Sequence, residues 1–413
     1  MVLALLATVI YGGLYSAAWY TQNRVQRALT EHDPEAVDRW ITRARWFPMR
    51  RARTHFLEAR LARRQQDPVR MGEYLQKAAT LGYDPELLTR EHWLARAEIG
   101  DMELLTNQMA MMLADPRGDG LEIVESYVTG LVHVGRYQAA VEMLEAWCKD
   151  YPDGIFPRQL LGSVLIDMDR WEEAGRVFRD VLSQEPENEQ AAFGLGIVLM
   201  TQQKTSSALP YLQIAARDEK LYADAMIRQA RCHRALAEPR QARQVLEELV
   251  EQLADRAAIV ELARLNLDEG QFEQAVGRVE PLVNEDPRHA GARYVYAQAL
   301  RQLGRQEEAE GHFSAVMEIN RNLALANELA ERLGEGAGSV DRRVQIAQLQ
   351  FQYGSEKEGL RWLVEALRVD ETHRPALEAL CTYYARKAEQ YPGDQDARRR
   401  RDGFQQRLKQ LAP

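Results

Sequence analysis

Three cysteines in 413 residues, Cys148, Cys232 and Cys381, are odd in number and far apart, which excludes a disulfide framework. Each falls among helix-spaced apolar residues, where a free thiol serves as a small core side chain. No C-x-x-C pair occurs, and the eight histidines form neither H-E-x-x-H nor a pair at i, i+4, so no zinc site is expected. The glycine-rich stretch Gly334–Gly338 lacks the Gly-Lys-Ser/Thr ending of a phosphate loop, and no G-x-S-x-G is present. An excess of positive charge is missing as well. The net charge of −9 argues against non-specific nucleic-acid binding. These absences predict a protein without intrinsic catalysis, metal or cofactor, and with no small-molecule substrate.

What the chain does have is a polarised start. Residues 1–20, "MVLALLATVIYGGLYSAAWY", carry no charged side chain, and about twenty apolar residues are the length needed to cross a hydrocarbon core. Trp19 and Tyr20 stand at its end, where aromatic rings favour the membrane interface. Residues 21–70 then hold twelve arginines, no lysine and six acids, so a basic collar follows the apolar segment and an acidic body follows the collar. With no basic residue before the apolar run, the positive-inside rule places the body in the cytoplasm. A cleaved secretory signal ending at Ser16-Ala17-Ala18 is the rival reading, and would put the body in the periplasm.

The body repeats. Leu161-Gly162, Leu165, Ala174, Phe178 and Pro186 return 34 residues upstream as Tyr127-Val128, Leu131, Ala140, Leu144 and Pro152. Downstream the same places are held by Leu195-Gly196, Leu199, Ala208 and Leu212, then Ala230, Ala242 and Leu246. Leu262-Ala263, Ala275, Val279 and Pro287 follow, then Tyr296-Ala297, Leu300, Ala309 and Phe313. Gly135, Gly270 and Gly304 recur between the two apolar runs, where a left-handed residue ends one helix and a second begins. Small residues at 162 and 174 are expected where paired helices cross closely, with Phe178 filling the gap to the next pair.

A helix–turn–helix with a period of 34, carrying L-G, A-x3-F and P, resembles the tetratricopeptide repeat (TPR) family over most of residues 17–390. The resemblance implies an all-α fold, an α-solenoid of stacked helix hairpins wound into a right-handed superhelix, here behind an N-terminal transmembrane helix. The expected organisation is a transmembrane anchor over 1–20, basic membrane-proximal degenerate units over 21–120, and six regular units over 121–323. A helix end and Gly-rich connector follow over 324–339, TPR-like units over 340–390, and a charged capping helix over 391–413. On this register the anchor runs straight into the first helix of the array.

In TPR proteins the first helices line the concave face and contact ligands at fixed offsets. Those offsets fall here on a groove of Phe193, Ile197, Arg231, Arg234, Arg264, Tyr294, Gln298 and Arg301. Phe156, Gln159, Ser163, Met200, Ile227 and Val260 hold further offsets, and Glu122, Glu125 and His133 supply an acidic end. Four arginines converging from adjacent units suggest recognition of an acidic extended peptide, since guanidinium grips carboxylate bidentately. The opposing expectation is that these arginines pair with neighbouring acids. The architecture is similar to that of bacterial membrane-TPR proteins. One such family, the lipopolysaccharide-assembly regulators, ends in a zinc module with paired C-x-x-C motifs that this chain lacks. The expected function is a scaffold tethered to the bacterial inner membrane that binds protein partners. The alternative is a secreted or periplasmic adaptor of an export, pilus or polysaccharide assembly machinery.

Overall fold

The computed structural model describes residues 2–30, 33–65, 67–100, 106–334 and 338–411, with no strand among them. Side chains of residues 2–10 fall outside the description. The helices group into two compact units, one of residues 135–333 and 337–363, the other of residues 1–134, 334–336 and 364–413.

The larger unit holds the regular repeats. After α8 (Tyr137–Asp150) come the hairpins α9 (Ile155–Asp167) with α10 (Trp171–Gln184), α11 (Glu189–Thr201) with α12 (Thr205–Ala215), and α13 (Tyr222–Ala235) with α14 (Pro239–Leu253). Next are α15 (Arg256–Asp268) with α16 (Phe272–Glu285), and α17 (Ala290–Gln302) with α18 (Gln306–Glu331). Local chemistry starts these helices. Asn188 and Asp255 accept from the backbone N–H three residues on, satisfying a donor with no partner inside the helix. Proline 239 opens α14, where its missing N–H costs nothing.

In the regular repeats each corner within a hairpin is left-handed. Gly135, Gly270 and Gly304 sit at φ of 71°, 74° and 79°, as their recurrence predicts. The same offset in the intervening units is held by Asp169, Gln203 and Ala237, at φ of 57°, 59° and 59°. The turn therefore imposes this conformation whether or not glycine is present.

Packing between hairpins runs through Phe178. A Cβ placed on Gly162 of α9 would lie 2.5 Å from Cζ of Phe178, and one on Gly194 of α11 closer still. The ring of α10 thus fills the space left by a glycine of its own hairpin and by a glycine of the next. Gly162 is small because of this ring, rather than because the helix backbones touch. Leu212 meets Gly196 in the same way one unit on. Where the following repeat would need a terminating proline, position 321 is arginine, and α18 continues for 26 residues before α19 (Ser339–Tyr353) packs against it.

The smaller unit begins with α1 (Val2–Thr30), a single helix whose C-terminal half packs on α2 (Pro34–Arg45) and α3 (Arg51–Arg64). Val25, Ala28, Leu29, Val37, Ile41 and Leu57 form that core. Ala18 and Gln22 are fully buried, while Tyr11, Tyr15, Trp19 and Tyr20 are exposed. Among the described residues no helix is long and apolar enough to cross a membrane. Half of the expected span, residues 1–10, lies outside the described side chains.

Further along, α4 (Pro68–Thr80), α5 (Pro85–Glu98), α6 (Thr106–Ala114) and α7 (Gly120–His133) precede the regular array. Residues 364–413 join this unit through the end of α20 (Glu356–Val369), α21 (Arg374–Gln390) and α22 (Gln395–Gln410). His133 Nε2 lies 2.9 Å from Glu365 Oε2.

The arginine collar divides. Arg39, Arg43, Arg45 and Arg51 are exposed, but Arg60 and Arg63 are almost wholly buried. Arg63 Nε bonds Glu91 Oε1 at 2.5 Å, and Arg60 bonds Glu91 and Asp119 at 3.3 and 2.5 Å. Glu122 receives both arginines, with Arg64 behind them. Buried charge persists only when paired and hydrogen-bonded, and here α3, α5 and α7 are locked together by that requirement. Burial alone would push the Glu122 carboxyl up, but Arg60, Arg63 and Arg64 hold it at about 2.

Candidate partner-binding groove

In a curved stack the helices on the inner side approach one another most closely. In the larger unit the first helices of successive hairpins touch: α9 meets α11, α13 meets α15, and α15 meets α17. No pair of second helices makes comparable contact among the described residues. The first helices therefore face one another along the inner side of the stack.

Helical spacing puts Arg231 and Arg234 on one face of α13. Both reach across to Glu261 of α15, at 2.8 and 3.4 Å, and Arg264 reaches the same carboxylate from its own helix at 2.9 Å. Arg234 also faces Asp268 at 3.5 Å. Glu261 is 4% exposed, whereas the three arginine side chains are each about a third exposed or more. One buried carboxylate thus fixes three guanidiniums whose remaining N–H groups face solvent. The expected pairing of arginines with acids is realised, and it leaves more positive than negative charge on this wall.

The remaining groove residues fall into two groups. The Arg301 guanidinium stands 5.3 Å from the Phe313 ring centre, and Tyr294 meets the same ring edge-on at 5.7 Å. Tyr294 is exposed, and Gln298 is half-buried. Upstream, Phe193 and Ile197 of α11 are half-buried. Arg228 of α13, at an offset the sequence reasoning passed over, lies 5.2 Å from the Phe193 ring centre. Burial lowers the pKa of Arg228, and the neighbouring charge of Arg231 lowers it further.

Four assignments change. Ile227 and Val260, expected at ligand offsets, are buried in the hairpin cores. Glu122, expected at an acidic end of the groove, is consumed by the ionic cluster of the smaller unit, and Glu125 pairs with Arg64. Besides Arg228, the residue missed was Glu261. Its position three residues before Arg264 was visible, but carboxylates on a charged helix read as solvated until their burial is known. Among the described residues no group of three or more histidine, cysteine or acidic side chains is arranged to hold a metal ion.

Stacked antiparallel helix pairs with an inner row of first helices define a helical-repeat solenoid. The sequence model of the tetratricopeptide repeat family matches residues 160–208, 196–258 and 260–324. The chain is similar to the solved structure of YrrB, "a TPR protein with an unusual peptide-binding site", at 18% identity over 43% of this chain and 92% of that one, with a TM-score of 0.34. A tetratricopeptide repeat protein from Parabacteroides merdae matches at 15% identity over 71% and 99%, with a TM-score of 0.42. PilW, a type IV pilus biogenesis factor, matches at 18% identity over 48% and 91%, with a TM-score of 0.43. No curated protein matches the chain.

Proposed function

We propose that this chain is a membrane-tethered scaffold that holds an acidic, extended segment of a protein partner against the inner wall of its repeats. The observation that carries the reading is the sharing of Glu261 by Arg231, Arg234 and Arg264. A guanidinium held in place by a buried carboxylate loses little side-chain entropy when it grips a second one, so the wall is pre-organised for carboxylates. Arg301 beside the exposed Tyr294 extends the surface for an apolar or aromatic neighbour of those acids. Residues 1–20 are the tether in the inner membrane, with the exposed aromatics Tyr15, Trp19 and Tyr20 at its interfacial end and the repeat body on the cytoplasmic side.

Crosslinked recovery of partners from membranes tests the groove. Arg231→Gln with Arg301→Gln should abolish recovery of the main partner while stability stays within about 0.5 kcal/mol, as for exposed sites. Unchanged recovery would place the interaction elsewhere. The tether is tested separately, by resistance to alkaline extraction, by the mass of the mature N-terminus, and by protease accessibility in spheroplasts. Cleavage after Ala18, or a protease-sensitive body in spheroplasts, moves the scaffold to the periplasm.

A further inference from the structure

In the smaller unit, a cleft of about 530 Å³ lies between α1, the first turn of α3, the α4–α5 corner and the turn before α7. Gln26, Arg50, Arg53, Tyr83 and Arg117 line it, together with Arg60 and Asp119. The charges there are unevenly answered. Arg60 is paired with Asp119, Glu91 and Glu122, and Arg117 with Asp84, Glu86 and Asp115. Arg50 and Arg53 have no carboxylate within salt-bridge reach among the described residues. Arg53 donates to Asn23 Oδ1 at 2.9 Å, and Arg50 lies 5.3 Å from the Tyr15 ring centre.

Three further features favour a negative guest. The N-terminus of α3 borders the cleft through Ala52 and has no side-chain cap; the Arg53 and Thr54 N–H groups turn back to the Arg50 carbonyl, and the positive end of the helix dipole lies there. Its first flanking residue, Arg50, is held at φ 62°, an unfavourable conformation for a side chain of that size, and its carbonyl is gripped by buried Gln22 at 3.0 Å. Burial raises the pKa of the Tyr83 phenol, so it stays a donor, while burial, with Arg50 and Arg60 nearby, depresses that of Arg53. Like charges crowded in a half-buried cleft are relieved by an anion.

The location points to the source of that anion. Arg50 touches Tyr15, and Arg53 touches Asn23, on either side of Trp19 and Tyr20. Aromatic rings of this kind sit at the headgroup level of a bilayer. We infer that the Arg50–Arg53–Tyr83 cleft binds the phosphate of an anionic lipid headgroup at the membrane surface entered by α1. This rests on the tether reading for the source of the phosphate, but the cleft's affinity for the group is measurable without it.

The test uses the full chain in a nonionic detergent, with thermal unfolding as readout and three probes: dihexanoyl phosphatidylglycerol, dihexanoyl phosphatidylcholine and inorganic phosphate. Near-saturating phosphatidylglycerol should raise the melting temperature by about 5 °C. Phosphatidylcholine, whose anionic phosphate is accompanied by a choline cation so that the headgroup has no net charge, should leave it unchanged. Arg50→Gln with Arg53→Gln should lose the shift, and Tyr83→Phe, which keeps the ring, should reduce it. No shift with phosphatidylglycerol, or an equal shift in the double variant, overturns the site. A shift from inorganic phosphate as large as that from phosphatidylglycerol overturns the lipid source and leaves a free-phosphate site. Failure of alkaline-extraction resistance strikes the tether alone, since the probe shifts do not depend on it.

Discussion

The ring of Phe178 occupies the space that any side chain on Gly162 would need. One aromatic residue thereby joins its own hairpin to the next, since Gly194 receives the same ring from the other side. Gly162→Leu should therefore cost roughly 1–3 kcal/mol by overpacking, measured by urea unfolding. In a repeat array the loss should spread to neighbouring hairpins. Combining Gly162→Ala with Phe178→Leu should recover part of the stability lost in Gly162→Ala alone. Strictly additive losses would mean that the two residues do not share the space.

The left-handed corners give a prediction of opposite sign. Gln203 is exposed at φ 59°, where an L side chain is disfavoured by roughly 1–2 kcal/mol. Gln203→Gly should raise the melting temperature, the relief outweighing the extra freedom that glycine has in the unfolded chain. A lowered melting temperature would show that the corner tolerates the side chain without strain.

The three arginines around Glu261 should behave non-additively. Replacing any one of Arg231, Arg234 or Arg264 by glutamine leaves two partners, and stability should change by less than about 1 kcal/mol. Replacing all three strands a buried carboxylate, at a cost of about 3 kcal/mol or more. Adding Glu261→Gln to the triple variant should then restore stability, which chemical denaturation would detect. No restoration would mean that the carboxylate is not the source of the loss.

Acid should act on the smaller unit through Glu122. Its folded pKa, about 2, lies below the usual 4.5, so its stabilising contribution is present above 4.5 and is lost as pH falls from there towards 2. Glu98 works the other way, because burial raises its pKa and acid relieves it. The urea midpoint should fall between pH 4.5 and pH 2 in the native chain, and fall less steeply in Glu122→Gln. Equal slopes in the two proteins would assign acid sensitivity to other groups.

Truncation of α1 should divide within the segment 1–20. Removing residues 2–10 should leave the melting of the smaller unit unchanged, because among the described side chains of α1 the first buried one is Ala18. Removing residues 2–22 deletes Ala18 and Gln22, together with the bonds from Gln22 to the Arg50 carbonyl and Thr54 hydroxyl. That longer cut should destabilise the first hairpin, read as faster hydrogen exchange in α2 and α3. Equal protection in both truncations would contradict the packing.

The helix pairs, their corners and their small-against-large contacts were written in the sequence because each depends on neighbours at a fixed period. Gly135, Ala174 and Phe178 recur at set offsets, and a short-range pattern of that kind is nearly one-dimensional. The shared face of Arg231 and Arg234 followed from helical spacing alone. Tertiary structure decided whatever depended on burial between elements distant in sequence. The burial of Arg60 and Arg63 against Glu91, Asp119 and Glu122 could not be read from a basic collar, because an exposed arginine and a buried one have the same local pattern. Glu261 became the centre of three guanidiniums only when α13 and α15 were set side by side. Residues 364–413 joined residues 1–134 in one unit because contacts such as His133 with Glu365 span 232 positions, far beyond the reach of a 34-residue period.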